Sequence, residues 1–265
     1  MADPPEHAFT AVDDQDDPSA WIDVLDRMRE EPAYAAYKQR VAELLEPSQS
    51  GKYLEVGCGT GADALELASQ FGVSVAGVDA SSAMVHEARR RGLRDARVAS
   101  ADALPFDTSS FDGSWADRVF QHLASPVDAL DEMVRVTKPG GRIVVADPDY
   151  DTQVVDVPDQ ELARRVLRFR ADVALRNGTI AHRMGGLFAD AGLTDVVVEA
   201  APVVVRDPAA LDNAMGLRTW AGVARERDML AAEDAESWER AIDDAVAAGR
   251  FLYAFSIFVT AGTTP

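Results

Sequence analysis

Short apolar runs alternate with segments of helical periodicity through the central part of the chain, from residue 52 to about residue 150. The apolar runs predict five strands, KYLEVG, VSVAGVDA, ARVASADA, FDGSWADRVF and RIVVADP. The periodic segments predict the helices ADALELASQFG, SSAMVHEARRRG and PVDALDEMVRVT, and Ser81 or Ser82 is placed to cap the second of them. Strands that alternate with helices at this spacing predict an α/β fold with a doubly wound, mostly parallel sheet.

The segments before this region show a different pattern. Residues 1–18 are acidic, contain prolines and lack periodicity, so we expect a disordered leader. Residues 19–45 have helical spacing that Pro32 interrupts, which predicts two short helices.

The C-terminal half departs from the regular alternation. Residues 158–191 and 207–249 have helical patterns, with a glycine break at residues 177–178. VVVEAAPVVV, which we expect Pro202 to interrupt, and RFLYAFSIFVTAG complete a predicted seven-stranded sheet. The prediction is a single domain over residues 19–265 with a helical lid in three segments, 19–45, 158–191 and 207–249.

Charge and cysteine content exclude several classes of protein. The formal net charge of −19 disfavours a nucleic-acid partner, because phosphate backbones bind mainly to basic side chains. The single cysteine, Cys58, excludes an internal disulfide and a multi-cysteine zinc site, and we expect no bound metal. Neither a secretory signal nor an apolar run of roughly 20 residues is present, so we expect a cytoplasmic protein that does not bind membranes. The sequence leaves a homodimer open.

The stretch LEVGCGTGADALELA places Gly57, Gly59 and Gly61 between the first predicted strand and the helix that follows it. The first strand-to-helix turn of such a sheet is a usual ligand site, although a tight turn without a ligand is an alternative. The loop matches the pattern G-x-G-x-x-A, and Asp79 ends the next strand, as in a dinucleotide site. Glu55, two residues before the first glycine, is awkward beside a pyrophosphate and suits a ligand that carries an ammonium group.

Five tracts of the sequence, in their order and spacing, resemble the successive motifs of the class I S-adenosylmethionine-dependent methyltransferases: LEVGCGTG, VAGVDAS, ADALPF, FDGSWA and KPGG. The resemblance is to the family that includes the ubiquinone/menaquinone-biosynthesis and small-molecule methyltransferases. It extends over about residues 35–150 and, more loosely, over the strand at Phe251–Thr260. It implies a Rossmann-like methyltransferase fold and S-adenosylmethionine as the cofactor.

The resemblance also implies contacts to the methionine and ribose portions of the cofactor. Gly57, Gly59 and Gly61 would bring the backbone close to the cofactor. Glu55 would orient the loop and the amino group of the cofactor. Asp79 would accept hydrogen bonds from the two ribose hydroxyls.

Further contacts are implied at the adenine end. Ala80 and Met84 would flank the adenine ring. Asp102 would accept a hydrogen bond from the adenine amino group, and the backbone N–H of Ala103 would contact the ring.

The remaining cofactor residues come from the fourth strand and the leader helix. Asp117 would lie beside the methionine moiety. Tyr37 and Arg40 would cover the cofactor, with Arg40 paired to its carboxylate, although core packing explains Tyr37 equally well. Cys58 would face the cofactor, so we interpret it as a small packing residue and not as a nucleophile.

Two residues are candidates for catalysis. Methyl transfer from a sulfonium needs alignment above all, and it needs a general base only when the acceptor is a weak nucleophile. In some small-molecule O-methyltransferases that this chain resembles, a histidine and an acid at the positions of His122 and Asp147 deprotonate the acceptor hydroxyl. A role for His122 in shaping the cofactor pocket is the alternative, and for Asp147 a contact to the substrate. We expect the other histidines, among them His182, to pack or to face solvent.

The absence of one sequence motif limits the classes of methyl acceptor. No Asn-Pro-Pro-aromatic tract follows the fourth strand, which disfavours the amino groups of DNA bases or glutamine as acceptors. A small molecule methylated at O, N or C is our leading interpretation, in a natural-product pathway. The lid segments mix apolar residues with arginines, which suits an apolar or aromatic acceptor with a polar group: Phe169, Phe188, Met215, Trp220, Phe251, Tyr253, Arg168, Arg170, Arg176 and Arg218.

Two other functions compete with methyl transfer. The first is a protein that binds S-adenosylmethionine without transferring its methyl group. The second is an NAD-linked oxidoreductase, which leaves Glu55, Asp102 and the KPGG tract unexplained together.

Overall fold

A computed structural model describes residue 13 and residues 19–30, 32–206 and 216–265 of the 265-residue chain. Apart from residue 13, the predicted leader lies outside the described residues, as does the beginning of the third lid segment, residues 207–215. The two helices predicted before the sheet are present, α1 at Ser19–Glu30 and α2 at Pro32–Leu45. Proline at the first position of α2 is favourable, because its fixed φ suits a helix and the N–H it lacks would have no partner inside the helix.

The predicted seven-stranded sheet is confirmed, with the strand order β3-β2-β1-β4-β5-β7-β6. The first five strands in this order are mutually parallel, and β7 runs antiparallel to both β5 and β6. The strands are β1 Lys52–Val56, β2 Ser74–Asp79, β3 Ala96–Val98, β4 Phe111–Asp117, β5 Thr137–Val155, β6 Thr194–Val205 and β7 Tyr253–Thr263.

Helices connect the strands and cover both faces of the sheet. The described helices that follow β1 are α3 Ala62–Phe71, α4 Ser82–Arg91, α5 Pro126–Val136, α6 Gln160–Phe169, α7 Met184–Asp190, α8 Thr219–Glu226 and α9 Ala232–Ala247. A π-helical turn at Arg170–Ala174 continues α6. The predicted cap of α4 is confirmed, because Oγ of Ser81 accepts a hydrogen bond from the backbone N–H of Met84 at 3.2 Å.

Two apolar clusters lie on opposite faces of the sheet. One contains buried side chains from α2, α3, α4, α6, α8 and α9, and the other contains those of α5 and α7. The alternation along β1 fits this arrangement, since Tyr53 belongs to the first cluster, whereas Leu54 and Val56 belong to the second. β1, in the middle of the sheet, is therefore buried on both sides, as its apolar sequence predicts.

The expectation that Pro202 interrupts its strand is wrong. β6 runs without a break from Thr194 to Val205, and Pro202 is paired in register with Ser256 of β7. β6 is an edge strand with β7 as its one neighbour, so a residue without an N–H is tolerated where that group would face the unpaired side.

The strand order reverses between β1 and β4, which defines where a ligand is expected. In open α/β sheets, ligands bind outside the carboxyl ends of the strands at such a reversal. The glycine loop, the end of β2 and the segment after β4 all lie at this edge.

Among the helices of the described ranges, none has both the length and the apolar character that a bilayer crossing requires.

Candidate active site

A cavity of about 580 Å³ lies at the carboxyl ends of β1, β2 and β4. Its volume is in the range of small-molecule sites. It extends to β5 and β7, where aromatic side chains line it. Eight of the site residues predicted from the sequence line the cavity: Glu55, Gly57, Gly59, Asp79, Ala80, Met84, Asp117 and His122.

The glycine loop adopts a conformation that other residues resist. Gly57 has a φ of 72° and Gly59 a φ of 48°, both in the left-handed region. The N–H groups of Gly57 and Cys58 donate to the carbonyl oxygen of Val78, at 2.8 and 2.9 Å. A Cβ atom on Gly57 would lie 2.3 Å from Cγ2 of Val119. The loop is therefore closed against the segment after β4 and leaves Gly59 at the cavity wall.

Cys58 packs inside this loop. Its Sγ would lie 2.7 Å from a Cβ atom at Gly77, so it occupies the space that this glycine of β2 leaves open. Burial, together with the Glu55 and Asp79 carboxylates, raises the pKa of the Cys58 thiol. A thiol of this kind is a poor nucleophile, which agrees with the packing role expected from the sequence.

Asp79 ends β2 with both carboxylate oxygens directed at backbone donors. Oδ2 accepts from the N–H of Gly59 at 2.8 Å, and Oδ1 accepts from the N–H of Ser81 at 2.9 Å. Burial raises the pKa of the Asp79 carboxyl. Each oxygen keeps a lone pair for a ligand, so Asp79 fixes the loop and also presents an acceptor to the cavity.

Glu55 acts as a cap for the helix after the loop. Gly61 at the N-cap of α3 has no side chain to offer, and Oε2 of the buried Glu55 accepts instead from the backbone N–H of Ala64 at 3.1 Å. Burial and the neighbouring Asp63 carboxylate raise the pKa of Glu55 well above its ordinary value. The sequence predicted that Glu55 orients the loop, and this contact is a physical means of doing so.

Asp117 is the centre of a charged cluster at the end of β4. Its carboxylate accepts from the Tyr37 hydroxyl, 3.1 Å from each oxygen, and from Nζ of Lys38 at 2.8 Å. Lys38 also pairs with Asp63 of α3, and so does Arg29 of α1. These bonds fasten α1 and α2 over the cavity. Tyr37 thus belongs to the site through Asp117 and does not itself line the cavity.

The structure does not bring Arg40 to the cavity. Its guanidinium forms two hydrogen bonds of 2.7 Å with Glu199 on the edge strand β6, and one of 2.8 Å with Glu43. Two residues along a helix correspond to a rotation of about 200°, so Arg40 and Lys38 lie on opposite sides of α2. The cation that α2 contributes to the site is therefore Lys38.

Asp102 and Ala103 do not line the cavity either. Both are exposed, and the N–H of Ala103 donates to the carbonyl oxygen of Ser100 at 3.2 Å in a tight turn. The residues that face the cavity in this segment are Ala99, Ser100 and Ala101, just before the predicted pair.

The two candidate catalytic residues are in different positions relative to the cavity. His122 lines it, in a short 3₁₀ turn after β4. Asp147 is buried beneath that turn, and its two oxygens accept from the N–H groups of Phe120 and Gln121 at 3.2 Å. Burial raises the pKa of Asp147 well above its ordinary value. Asp147 therefore supports the turn that carries His122 and does not reach the cavity itself.

Arg118 is a site residue that the sequence reasoning missed. It follows Asp117 directly, with a φ of 59°, and its guanidinium lines the cavity. Its Nε is buried without a hydrogen-bond partner among the described residues, 3.7 Å from Asp117 Oδ1. The Tyr34 ring lies 5.4 Å from the guanidinium carbon. The place of Arg118 at the end of β4 was the available signal, since side chains at strand ends face this edge of the sheet.

The far end of the cavity is lined mainly by aromatic and apolar side chains. They include Tyr150 of β5, Trp220 of α8, and Phe255 and Ile257 of β7, with the guanidinium of Arg170 between the first two. Of the mixed lid residues expected from the sequence, Trp220 and Arg170 line this cavity. Others do not: Phe188, Phe251 and Tyr253 are core residues, Arg168 and Arg218 form surface ion pairs, and Met215 lies outside the described residues.

A histidine and a carboxylate also meet beside this cavity. Nδ1 of His182 lies 2.5 Å from Oδ2 of Asp149, a fully buried residue of β5. Pro148 and Tyr150, on either side of Asp149, line the cavity, whereas Asp149 and His182 do not. Since alternate residues of a strand face opposite sides, this pair holds the 3₁₀ turn at Ala181–Arg183 against the sheet.

Comparison with known proteins agrees with this geometry. Residues 54–145 match the model of a methyltransferase domain. An uncharacterized 37.1 kDa protein in transposon TN4556 of Streptomyces fradiae is 36% identical over 92% of this chain and 72% of that protein. The ubiquinone/menaquinone biosynthesis C-methyltransferase UbiE of Geobacter sulfurreducens is 30% identical over 74% of this chain and 81% of that protein. The chain belongs to the class I S-adenosylmethionine-dependent methyltransferases.

Other matches limit what can be transferred to this methyltransferase. The crystal structure of the [4+2]-cyclase SpnF has a TM-score of 0.56 and 22% identity, covering 87% of this chain and 81% of that chain. SpnF therefore shares the fold of this chain, although its name describes a different activity. The chain spans about half the length of the curated O-methyltransferases of Aspergillus sclerotiorum, Penicillium expansum and Pyrenophora dematioidea that it matches. Their names therefore do not determine its acceptor.

S-adenosylmethionine is the cofactor of this methyltransferase family, and the near end of the cavity suits it. Asp79 presents a carboxylate suited to a diol, and Gly59 allows close approach to the loop. Apart from the two residues adjacent to Gly59, Leu25 is the one described residue within 4 Å of a Cβ there. Arg118 offers a buried Nε–H that has no hydrogen-bond partner among the described residues. Lys38 and Arg118 line this end together with Arg29, and Arg40 does not.

Proposed function

We propose that the protein transfers a methyl group from S-adenosylmethionine to an oxygen, nitrogen or carbon atom of a small-molecule acceptor by in-line displacement. One observation carries the proposal: a single cavity extends from the glycine loop and Asp79 to the aromatic side chains of Tyr150 and Trp220. A methyl donor at the first end and an acceptor at the second would share one space. Such an arrangement replaces a collision between two molecules by a fixed geometry, which is worth several kcal/mol.

The residues of the near end would hold the cofactor in assigned places. Asp79 would accept from the ribose hydroxyls, and the Gly57–Gly59 backbone would lie along the methionine and ribose portions. Arg118 would bind the methionine carboxylate, which its buried Nε supports, since this atom has no hydrogen-bond partner in the described part of the chain. Ala80 and Met84 would flank the adenine, and the backbone at Ser100 and Ala101, which line the cavity, would contact it in place of Asp102 and Ala103.

For the chemical step, the main task of the protein would be to align the acceptor atom with the methyl group and the sulfur of the cofactor. When bound, S-adenosylmethionine supplies a methyl group already activated by the sulfonium. His122 would accept the proton of a hydroxyl acceptor, because a histidine has an ordinary pKa near neutrality and this one lines the cavity. Asp147 would act as a positioning residue, since its carboxylate holds the backbone of Phe120 and Gln121 and thereby the His122 turn.

The lid is part of the proposal. The helices of residues 19–45 are fastened to α3 and β4 by Arg29 and Lys38, and residues 158–191 and 216–249 contribute Arg170 and Trp220 to the far end. Closure of these segments would exclude water from the transfer. The function we infer is that of a cytoplasmic enzyme of secondary metabolism without a nucleic-acid partner, and a homodimer stays a prediction.

Labelled cofactor tests the function directly. The protein is incubated with methyl-labelled S-adenosylmethionine and a small-molecule extract of the producing organism, and label is followed into the organic fraction. The proposal predicts label transfer with the wild-type protein and none with heat-inactivated protein. Tight cofactor binding without any label transfer across extracts would favour the non-methylating alternative.

A further inference from the structure

The far end of the cavity contains a buried cation in an unusual setting. The side chain of Arg170 lines the cavity although the residue is only 5% exposed. Its guanidinium carbon lies 4.3 Å from the ring centre of Tyr150 and 4.9 Å from that of Trp220. The guanidinium is thus held between two aromatic rings.

The hydrogen-bond partners of Arg170 are neutral. Nη1 donates to the Tyr253 hydroxyl at 2.7 Å and to Oε1 of Gln153 at 3.2 Å. The Tyr253 hydroxyl itself donates to the same Gln153 oxygen at 2.7 Å. Nε of Arg170 is buried and has no hydrogen-bond partner in the described part of the chain.

The carboxylates nearest in sequence already have other partners. Asp172, on the same π-helical turn, pairs with Arg168 at 2.7 Å, and Asp151 pairs with Arg168 at 3.0 Å. Asp149 accepts from His182. Within the described ranges, no carboxylate forms an ion pair with Arg170.

A buried guanidinium without a counter-ion is costly, because it has lost its hydration and gained no opposite charge. Aromatic rings and neutral acceptors recover part of that cost. The turn that carries Arg170 is itself uncommon, since the N–H of Leu175 donates to the Arg170 carbonyl at 3.2 Å, five residues back. Such π-helical turns are frequent at functional sites.

The net negative charge of the protein makes a buried cation in the cavity stronger evidence for an anionic ligand. A formal net charge of −19 repels anions in general, so an anionic ligand needs a local cation in order to bind. A guanidinium presents several N–H donors in one plane, which matches the two oxygens of a carboxylate. Tyr150 and Phe255, stacked 5.9 Å apart, supply an apolar wall beside it.

We propose that Arg170 binds an oxyanion of the methyl acceptor, and that the acceptor is a flat, apolar molecule carrying a carboxylate or an ionised phenol or enol. The inference rests on the proposed function, since it assigns this end of the cavity to the acceptor. Arg170 serves as the residue that selects anionic acceptors over neutral ones of the same shape.

Matched pairs of probes test this selection by equilibrium binding, with S-adenosylhomocysteine present. The carboxylate pair is trans-cinnamate against trans-cinnamamide, and the phenolate pair is 4-nitrophenolate against 4-nitroanisole. The wild-type protein is expected to bind the anion of at least one pair about tenfold or more tightly than its neutral partner, as for hydrogen bonds to a charged group. Arg170→Met is expected to abolish that preference, and Arg170→Lys to retain part of it.

Arg164→Met is the matched control, because Arg164 lies on α6 with its side chain 73% exposed and a single long contact to Glu161. It is expected to keep the full preference. Equal binding of anion and neutral partner in both pairs, or a preference that survives Arg170→Met, overturns the proposal. Arg170→Gln replaces the methionine variant in the comparison if that variant does not fold.

The affinity for S-adenosylhomocysteine, measured on the same proteins, separates this inference from the proposed function. Arg170 lies outside the cofactor end, so its variants are expected to bind S-adenosylhomocysteine as the wild-type protein does. A wild-type protein that fails to bind S-adenosylhomocysteine contradicts the proposed function. A protein that binds it but does not distinguish the anions contradicts the role of Arg170 alone.

Discussion

The two ends of the cavity are built in different ways. At the cofactor end, hydrogen bonds from backbone N–H groups fix the side chains. Asp79 accepts from the N–H groups of Gly59 and Ser81, and Glu55 accepts from that of Ala64. At the far end, side chains from β5, the π-helical turn, α8 and β7 meet to form the wall. Local motifs therefore fix the first end, whereas the second depends on contacts between distant segments.

Under the proposed function, this difference would let one fold serve different acceptors. A loop whose shape depends on its own backbone keeps binding the same cofactor when the surroundings change. For the wall made of Tyr150, Arg170 and Trp220, we expect a single substitution to change the selectivity, because the three side chains come from different segments and meet through side-chain contacts.

Gly57→Ala is expected to have the largest effect. The new Cβ would meet Val119 at 2.3 Å on a backbone with a φ of 72°. We expect a loss of about 2–4 kcal/mol in the free energy of unfolding and the loss of cofactor binding, measured by urea denaturation and calorimetry. Gly186→Ala in α7 is the control, because none of the described residues outside its own stretch of helix lies within 4 Å of a Cβ there. It is expected to be neutral or to stabilise by about 0.5–1 kcal/mol. Equal behaviour of the two variants would refute a rigid loop.

Lys38→Met, compared with Arg40→Met, tests which cation of α2 belongs to the site. Lys38 contacts Asp63 and Asp117 with its side chain 17% exposed, and its removal leaves two carboxylates without it. We expect a loss of roughly 2–3 kcal/mol in unfolding free energy. We also expect about tenfold weaker cofactor binding.

Arg40→Met is expected to change neither quantity appreciably, since Arg40 pairs with Glu199 and Glu43 away from the cavity. Thermal unfolding and calorimetry on both variants give the comparison. Weaker cofactor binding in the Arg40 variant alone would restore the role expected from the sequence.

The contrast between Lys38 and Arg40 shows what the sequence could predict and where it failed. Helical spacing indicated α2 and left Tyr37 open between a place over the cofactor and a place in the core, but it did not reveal which way the helix is rotated against β4. Pro202 is a similar case, because the sequence does not show that its strand lies at the edge of the sheet.

The site residues also fall into those that the sequence could predict and those that it could not. The loop glycines, Asp79 and Asp117 lie where strand ends meet at a reversal of strand order, so motif and topology together predict them. Arg118 also lies at the end of a strand beside this reversal, but it was not predicted. Arg170 and Trp220 were named among many lid residues, but their meeting depends on long-range packing, which the sequence does not reveal.

The smallest expected effect is that of Glu55→Gln on the pH dependence of stability. Burial holds the pKa of Glu55 above its ordinary value of 4.5, so the folded protein keeps a proton that the unfolded chain releases as the pH rises above 4.5. Glu55 therefore makes the wild-type protein less stable with rising pH until the folded-state pKa is passed.

The glutamine variant keeps an oxygen for Ala64 N–H and lacks this titration. We expect its unfolding free energy to exceed that of the wild-type protein by on the order of 1 kcal/mol at pH 7, with the difference vanishing below pH 4.5. Urea denaturation at a series of pH values measures it. A difference of the opposite sign would mean that Glu55 is stabilised as the anion.

Titration calorimetry of S-adenosylmethionine into the wild-type protein and Asp79→Ala tests the central claim, that the glycine-loop end of the cavity holds the cofactor. Asp131→Ala, an exposed position on α5, is the control. We expect tight binding to the wild-type and control proteins and a loss of at least about a hundredfold in Asp79→Ala, because two hydrogen bonds to a charged group are removed. Unchanged affinity in Asp79→Ala, or tight binding of NAD in place of S-adenosylmethionine, would contradict the claim.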